Sequence, residues 1–257
     1  MTQHLLPALY TLFVWWFSTG AILYLDGLPR RTYKWSMLWA TVLAAVAFVG
    51  IVATADDTRA TGAYLAFTGA IVIWAWKEMA FLMGFVTGPR RTPCPPGVHG
   101  WRRAGYALQA ILWHEFALLA LGIAVIGLTW GRPNPVAACT FATLWVMRLS
   151  AKLNVFLGVR NLNEEFLPEH LRYLGSYFRR RNMNRLFPLS LIASGALALG
   201  VWQHALAEGT HAFGAMASTF VATLITLAVL EHVFMMAPLP TQRLWRWGMR
   251  SRQTEAL

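Results

Sequence analysis

Residues 104–130 read AGYALQAILWHEFALLALGIAVIGLTW, and this stretch decides the fold class of the chain. Glu115 is its one formally charged residue, and Arg102 and Arg103 stand directly before it. A transmembrane α-helix needs about 20 consecutive, predominantly apolar residues to cross the hydrocarbon core. The stretch therefore predicts a membrane-spanning helix that begins beside basic residues.

Six further runs of similar length and polarity are present in the chain. The chain of 257 residues is 57% hydrophobic and 13% charged, whereas a soluble domain has about 45–50% apolar and about 25% charged residues. This composition excludes soluble, disordered and collagen-like chains. We predict an all-α, polytopic membrane bundle that forms a single domain over residues 1–257. The predicted spans are residues 5–25, 35–55, 62–86, 104–130, 135–157, 186–207 and 213–237.

The basic residues predict the orientation of the bundle. The net charge of +11 is concentrated in short clusters between the apolar runs, which favours membrane lipid over nucleic acid as the partner. Connections on one side of the predicted bundle hold 2 Lys and Arg residues and those on the other side hold 17. Because cytoplasmic loops carry the excess of positive charge, we predict an outer N-terminus and a cytoplasmic C-terminus.

The connection between spans five and six predicts an additional helix at about residues 164–181. Leu167, Leu171, Leu174 and Phe178 recur at helical spacing and would form one apolar stripe. Acidic residues precede the stripe and arginines follow it, as the helix dipole prefers. We interpret the segment as an amphipathic helix in the cytoplasmic interface.

Ionisable residues inside the predicted spans are the candidate functional residues, since charge in the bilayer is costly and usually faces the bundle interior. With a rise of 1.5 Å per residue, four spans present such groups at overlapping depth near the cytoplasmic side. We predict that they line one polar pocket that binds a cofactor. The proposed pocket residues are Glu78, His114, Glu115, Arg148, Lys152, Asn154, Glu231 and His232.

Several interpretations of these residues remain open. Pairs such as Glu78 with Arg148 would simply hold helices in register. A metalloenzyme, such as an iron-dependent oxidoreductase acting on a pigment or quinone, would use oxygen and nitrogen ligands. A transporter of an anionic precursor would use Arg148 and Lys152 as counter-charges. For the metal, the candidate ligands are Glu78, His114, Glu115, Glu165, His170, Glu231 and His232.

The chain resembles the PuhE family, membrane proteins of phototrophic proteobacteria that are associated with assembly of photosynthetic complexes. Six strings, spread over nearly the whole length, carry the resemblance. They are residues 13–20 (FVWWFSTG), 25–31 (LDGLPRR), 81–97 (FLMGFVTGPRRTPCPPG), 147–154 (MRLSAKLN), 163–174 (NEEFLPEHLRYL) and 176–181 (SYFRRR).

The resemblance implies a multi-pass protein of the bacterial inner membrane, cytoplasmic or intracytoplasmic. It implies a role in bacteriochlorophyll supply or in assembly of the reaction centre and antenna. Expected partners are reaction-centre or light-harvesting subunits and pigment-synthesis enzymes. In that reading the pocket would bind bacteriochlorophyll or a precursor, with His114 or His232 as ligand of the central magnesium. The family supplies no catalytic residues, so whether the chain is an enzyme stays open.

Overall fold

The computed structural model describes residues 2–237 and 239–253, so the ends of the predicted domain 1–257 lie outside the described residues. Seven of its helices are long and apolar enough to cross a membrane. They are α1 (Thr2–Asp26), α2 (Tyr33–Ala53), α3 (Ala60–Leu82), α4 (Gly100–Thr129), α5 (Val136–Leu157), α6 (Leu186–Leu206) and α7 (Ala212–Phe234). A short α8 (Arg250–Gln253) follows. The prediction of seven apolar spans in an all-helical chain is confirmed.

Helix α3 lies at the centre of the bundle and packs against α1, α2, α4, α5 and α7. Small residues such as Ala63, Ala66 and Ala70 allow neighbouring helices to approach closely. Phe67 stacks on Phe220 of α7 with ring centroids 4.5 Å apart. Around them, apolar side chains fill the half of the bundle where α2, α4 and α6 end. Many apolar side chains on the outer surface of the bundle are exposed, as lipid contact requires.

The opposite end of the bundle is where α1, α3, α5 and α7 finish, and we call it the charged end. Here α3 stops at Leu82, four residues earlier than predicted. Gly84 adopts a positive φ of 81°, and the amides of Phe85 and Val86 both donate to the carbonyl of Ala80. Since glycine is the residue that enters this left-handed conformation without cost, Gly84 ends the helix.

Helix α7 also ends earlier than predicted, at Phe234 instead of residue 237. The side-chain amide of Asn161 donates to the carbonyls of Phe234 and Ala237. Its backbone amide donates to the carbonyl of Met235. These bonds satisfy carbonyls that lack a partner at a helix C-terminus, and they join the end of α7 to the connection after α5.

The connection between α5 and α6 differs from the single helix predicted at residues 164–181. It forms two 3₁₀-helices, Glu164–Phe166 and Glu169–Tyr177. Pro168 separates them, and Leu167 before it is extended, because proline disfavours helix at the residue before it. Leu171, Leu174 and Tyr177 are buried, and their spacing of three matches the 3₁₀ period. This connection covers the charged end.

Candidate functional site

A cavity of about 370 Å³ opens at the charged end of the bundle. Ligand pockets usually measure about 300–1,000 Å³, so this one can hold a small organic molecule. Most of its wall is apolar, with contributions from α1, α3, α4, α5, α7, the α5–α6 connection and the C-terminal segment. The polar residues in the wall are His114, Arg148, Lys152, Asn163, Tyr177 and Glu231.

A network of buried and partly buried charges includes two residues of this wall, His114 and Lys152. The Lys77 ammonium donates to Glu78 Oε1 at 3.2 Å and contacts His114 Nε2 at 2.7 Å. The Lys152 ammonium donates to Glu115 Oε1 at 2.6 Å and lies 3.2 Å from His114 Nε2. The structure therefore brings together charged residues of α3, α4 and α5, each ammonium beside one carboxylate and the shared imidazole.

The imidazole of His114 occupies the middle of this network. Two lysine ammonium groups lie 2.7 and 3.2 Å from its Nε2. Because an ammonium group only donates, this arrangement suits a neutral ring with its proton on Nδ1. Among the described residues, Nδ1 has no hydrogen-bond partner, although the atom is buried. Phe81 covers one side of the ring at a centroid distance of 4.2 Å. Nε2 is thus occupied and is not available to a metal.

Arg148 is the exception among the charged residues. Its side chain is 47% exposed, and its closest charged partner is Glu78 Oε2 at 3.6 Å. No hydrogen bond from its guanidinium is found to any described residue. A guanidinium has five N–H donors in a planar fork suited to carboxylates. Arg148 therefore presents unused donors to the cavity, within a helix that crosses the membrane.

The two remaining candidates on α7 have different surroundings. Glu231 lies in the cavity wall, where Trp15 Nε1 of α1 donates to its Oε1 at 2.8 Å. His232 is buried outside the cavity, with Nε2 2.9 Å from Ser150 Oγ and Nδ1 2.8 Å from the carbonyl of Ala228. Both imidazole nitrogens of His232 are occupied by these bonds, and the bond to Ser150 joins α7 to α5.

The structure places three other predicted residues away from this cluster. Asn154 is buried and hydrogen-bonds Ser190 and Asn184 at the start of α6. Glu165 is exposed and accepts a hydrogen bond from Gln242. His170 lies beside Gly84 and Tyr33, where burial lowers the pKa of its imidazole below the usual 6.5.

The proposed metal ligands are consequently dispersed. Within residues 2–237 and 239–253, no three His, Cys, Asp or Glu side chains are grouped closely enough to hold a metal ion. The carboxylates of Glu78 and Glu115 are instead paired with lysines. Such an arrangement suits recognition of charge more than coordination of iron.

The C-terminal segment holds the 3₁₀-helical cover in place. Arg252 donates to Asp26 Oδ1 at 2.6 Å, to the carbonyl of Glu165 at 2.8 Å and to that of Phe166 at 3.1 Å. Trp245 packs against Phe166 with centroids 6.1 Å apart. Segments that are distant in sequence thus cover the cavity together.

Sequence reasoning missed several of these residues. Nothing in the pattern linked Asp26 to Arg252 or Trp15 to Glu231, because each pair is joined only by folding. Asn163 offered a signal that could have been used, since it stands before Glu164 at the start of the cover. Its φ of 52° is a left-handed conformation that asparagine tolerates better than most residues.

Comparison with known proteins supports a family assignment without a described activity. The chain is 40% identical over 260 residues to a protein of Rhodobacter capsulatus named "Uncharacterized 30.4 kDa protein in puhA 5'region". The alignment covers 100% of this chain and 94% of that relative. No solved structure matches the chain. A family model described as "Protein of unknown function (DUF3623)" matches residues 1–256, and the chain therefore belongs to the DUF3623 family.

Proposed function

We propose that this protein is a photosynthetic-complex assembly factor of the PuhE type, located in the bacterial inner membrane. In this proposal it supplies bacteriochlorophyll or helps to build the reaction centre and antenna. Its N-terminus faces outward and its charged end faces the cytoplasm. Support comes from the relative named for the puhA 5' region, and from the sequence resemblance over the whole chain.

The observation that carries a binding role is the cavity at the charged end. It combines an apolar wall with Arg148, Lys152 and Glu231, and it is reached through a cover made of connections instead of membrane helices. We propose that a tetrapyrrole, bacteriochlorophyll or a precursor, occupies this cavity while it is passed to pigment-synthesis enzymes or to reaction-centre and light-harvesting subunits.

The surroundings of the histidines favour a particular mode of binding. His114 Nε2 lies beside two lysine ammonium groups, and His232 has both nitrogens in hydrogen bonds. Neither ring fits the role of an axial magnesium ligand without breaking those bonds. In the proposed complex the apolar wall holds the macrocycle, and the polar residues hold its substituents.

The two alternative functions lack a comparable observation. An iron enzyme needs a group of ligands, and the candidate carboxylates Glu78 and Glu115 are paired with lysines. A transporter needs a route to the opposite end of the bundle, where Phe67, Leu118 and Phe141 are buried in the apolar core. The cavity supports binding at one end most directly.

Deletion of the gene in a phototrophic bacterium tests the proposal. We expect lower near-infrared absorbance of reaction-centre and antenna complexes per cell, with restoration by a plasmid copy of the unmodified gene. Arg132→Gln, at the opposite end of the bundle, should restore absorbance equally. A deletion strain with unchanged levels of every photosynthetic complex would refute an assembly role.

A further inference from the structure

Arg148 is the feature of the cavity that the interactions within the protein leave unexplained. The other cations of the cluster are close to carboxylates: Lys77 to Glu78 at 3.2 Å and Lys152 to Glu115 at 2.6 Å. The Arg148 guanidinium instead lies 3.6 Å from Glu78 Oε2, and Lys77 already contacts the other oxygen of that carboxylate. An arginine kept inside a membrane span without strong pairing is costly, so its donors call for an acceptor from outside the chain.

The position of Arg148 defines where that acceptor would sit. Arg148 and Lys152 are one helical turn apart on α5, and both line the cavity together with His114. The remaining wall near them is apolar, with Phe81, Ile111 and Val155 among its members. A ligand that satisfies this wall has an apolar body and one acidic group.

Two of the three carboxylates near the cavity do not line it. Glu78 and Glu115 are directed to the lysines and are absent from the wall, and Glu231 is bound by Trp15. The charged groups that line the cavity are thus two cations and one carboxylate that already has a donor. This balance favours an anionic ligand over a cationic one.

We infer that the cavity binds an amphipathic carboxylic acid, with its carboxylate on the Arg148 guanidinium beside Lys152 and its apolar body against the wall. The identity of the apolar part as a tetrapyrrole rests on the proposed function. The carboxylate on Arg148 is the new element. In a tetrapyrrole, the recognised form is the one whose propionate is free. The protein would then act before the step in which that propionate is esterified.

A titration of the full-length protein in detergent micelles tests the inference. Protoporphyrin IX and its dimethyl ester share one macrocycle, and the ester lacks both free propionates. Palmitate and methyl palmitate make the same comparison for a lipid acid. We expect protoporphyrin IX to quench tryptophan fluorescence at least tenfold more tightly than its ester. Arg148→Gln should weaken binding of the acid by about 10-fold to 100-fold, the range for a lost charged hydrogen bond, and leave the ester unaffected.

Two further variants separate recognition from damage to the fold. Arg148→Lys keeps the charge without the planar fork and should recover part of the affinity. Arg132→Gln removes an exposed arginine at the opposite end, where it pairs with Asp56 at 2.8 Å, and should bind like the unmodified protein. Because Arg148 is half exposed, its replacement leaves the packed core intact.

The outcomes distinguish the two proposals. Selective binding of palmitate, with no binding of protoporphyrin IX, supports the acid-binding site and contradicts the tetrapyrrole. Equal binding of acid and ester, or no effect of Arg148→Gln, overturns the acid-binding site and leaves an assembly role intact. Failure of both acids to bind at about 100 µM also overturns it, because that concentration is about a hundred times the Kd of a micromolar site.

Discussion

Asn184 shows how one side chain can organise a membrane-protein connection. Its amide donates to the carbonyls of Asn154 and Gly158 and to Asn154 Oδ1 at 3.0–3.2 Å. Its Oδ1 accepts from the amides of Leu186 and Phe187 at the start of α6. These bonds satisfy groups at the end of α5 and the beginning of α6 together, which matters where no secondary structure does so.

Replacement of Asn184 by alanine should destabilise the protein by about 1–3 kcal/mol, since it removes a helix cap and leaves buried polar groups without partners. The midpoint of thermal unfolding in detergent measures the effect. Asn182→Ala provides a matched control two residues away, because that side chain is exposed. A loss of stability as large in Asn182→Ala as in Asn184→Ala would contradict this role.

His170 makes stability depend on pH. Burial lowers the pKa of its imidazole below 6.5, and the Arg30 and Arg252 guanidiniums lower it further, whereas a backbone hydrogen bond at Leu82 and Glu169 oppose them. As the pH falls, His170 therefore binds a proton near pH 6.5 in the unfolded chain but only at a lower pH in the folded chain. By linkage, the contribution of neutral His170 to the free energy of unfolding is complete above about pH 6.5. It is lost as the pH falls from there to the folded-state pKa.

We expect the unfolding midpoint to decline more between pH 7 and pH 5 in the unmodified protein than in His170→Gln. His99→Gln alters an exposed histidine and should leave the decline unchanged. The comparison uses one detergent and one ionic strength throughout. Parallel pH profiles for His170→Gln and the unmodified protein would remove His170 as the source.

At the scale of elements, the cover of the cavity depends on a contact between the two ends of the chain. Asp26 at the end of α1 is fully buried, and Arg252 of α8 bonds both its carboxylate and the backbone of the 3₁₀-helix Glu164–Phe166. Trp16 and Trp245 add reciprocal hydrogen bonds from their indoles to backbone carbonyls. The cover is therefore held from the side by the C-terminal segment.

Arg252→Gln should loosen this cover, because it leaves the Asp26 carboxylate buried without its cation, a change that commonly costs about 3–5 kcal/mol. We expect trypsin to cleave within residues 160–185 at least several times faster than in the unmodified protein. Arg246→Gln replaces an exposed arginine of the same segment as control. Unchanged cleavage in Arg252→Gln would show that the cover does not need the C-terminal segment.

At the scale of the whole molecule, hydropathy alone predicted the seven spans, because the bilayer imposes a length and polarity that each segment must meet by itself. Depth along each helix also placed Glu78, His114 and Lys152 near one another. Rotation about the helix axis could not be obtained in this way. It is set by packing between helices, and it puts Lys152 in the cavity wall while Asn154 faces α6.

The contacts of the connections were less predictable than the spans. The apolar spacing at residues 167–178 suited an α-helix, but Pro168 and packing against Phe81 and Ala110 gave a 3₁₀-helix with Leu171, Leu174 and Tyr177 inside. Arg252 and Asp26 meet across nearly the full length of the chain. Such pairs depend on the assembled bundle, for which a single sequence gives no local signal.

If the cavity at the charged end holds a pigment, as we propose, a bulky side chain that fills the cavity should displace the pigment. Ala151 of α5 lines the cavity, and Val146 of the same helix is 60% exposed on the bundle surface. Each is replaced by tryptophan, and the proteins are purified from a phototrophic host and compared for tetrapyrrole absorbance per protein. We expect bound tetrapyrrole in the unmodified protein and in Val146→Trp, and at least a tenfold loss in Ala151→Trp. Equal tetrapyrrole in all three, or none in the unmodified protein, would contradict the proposal.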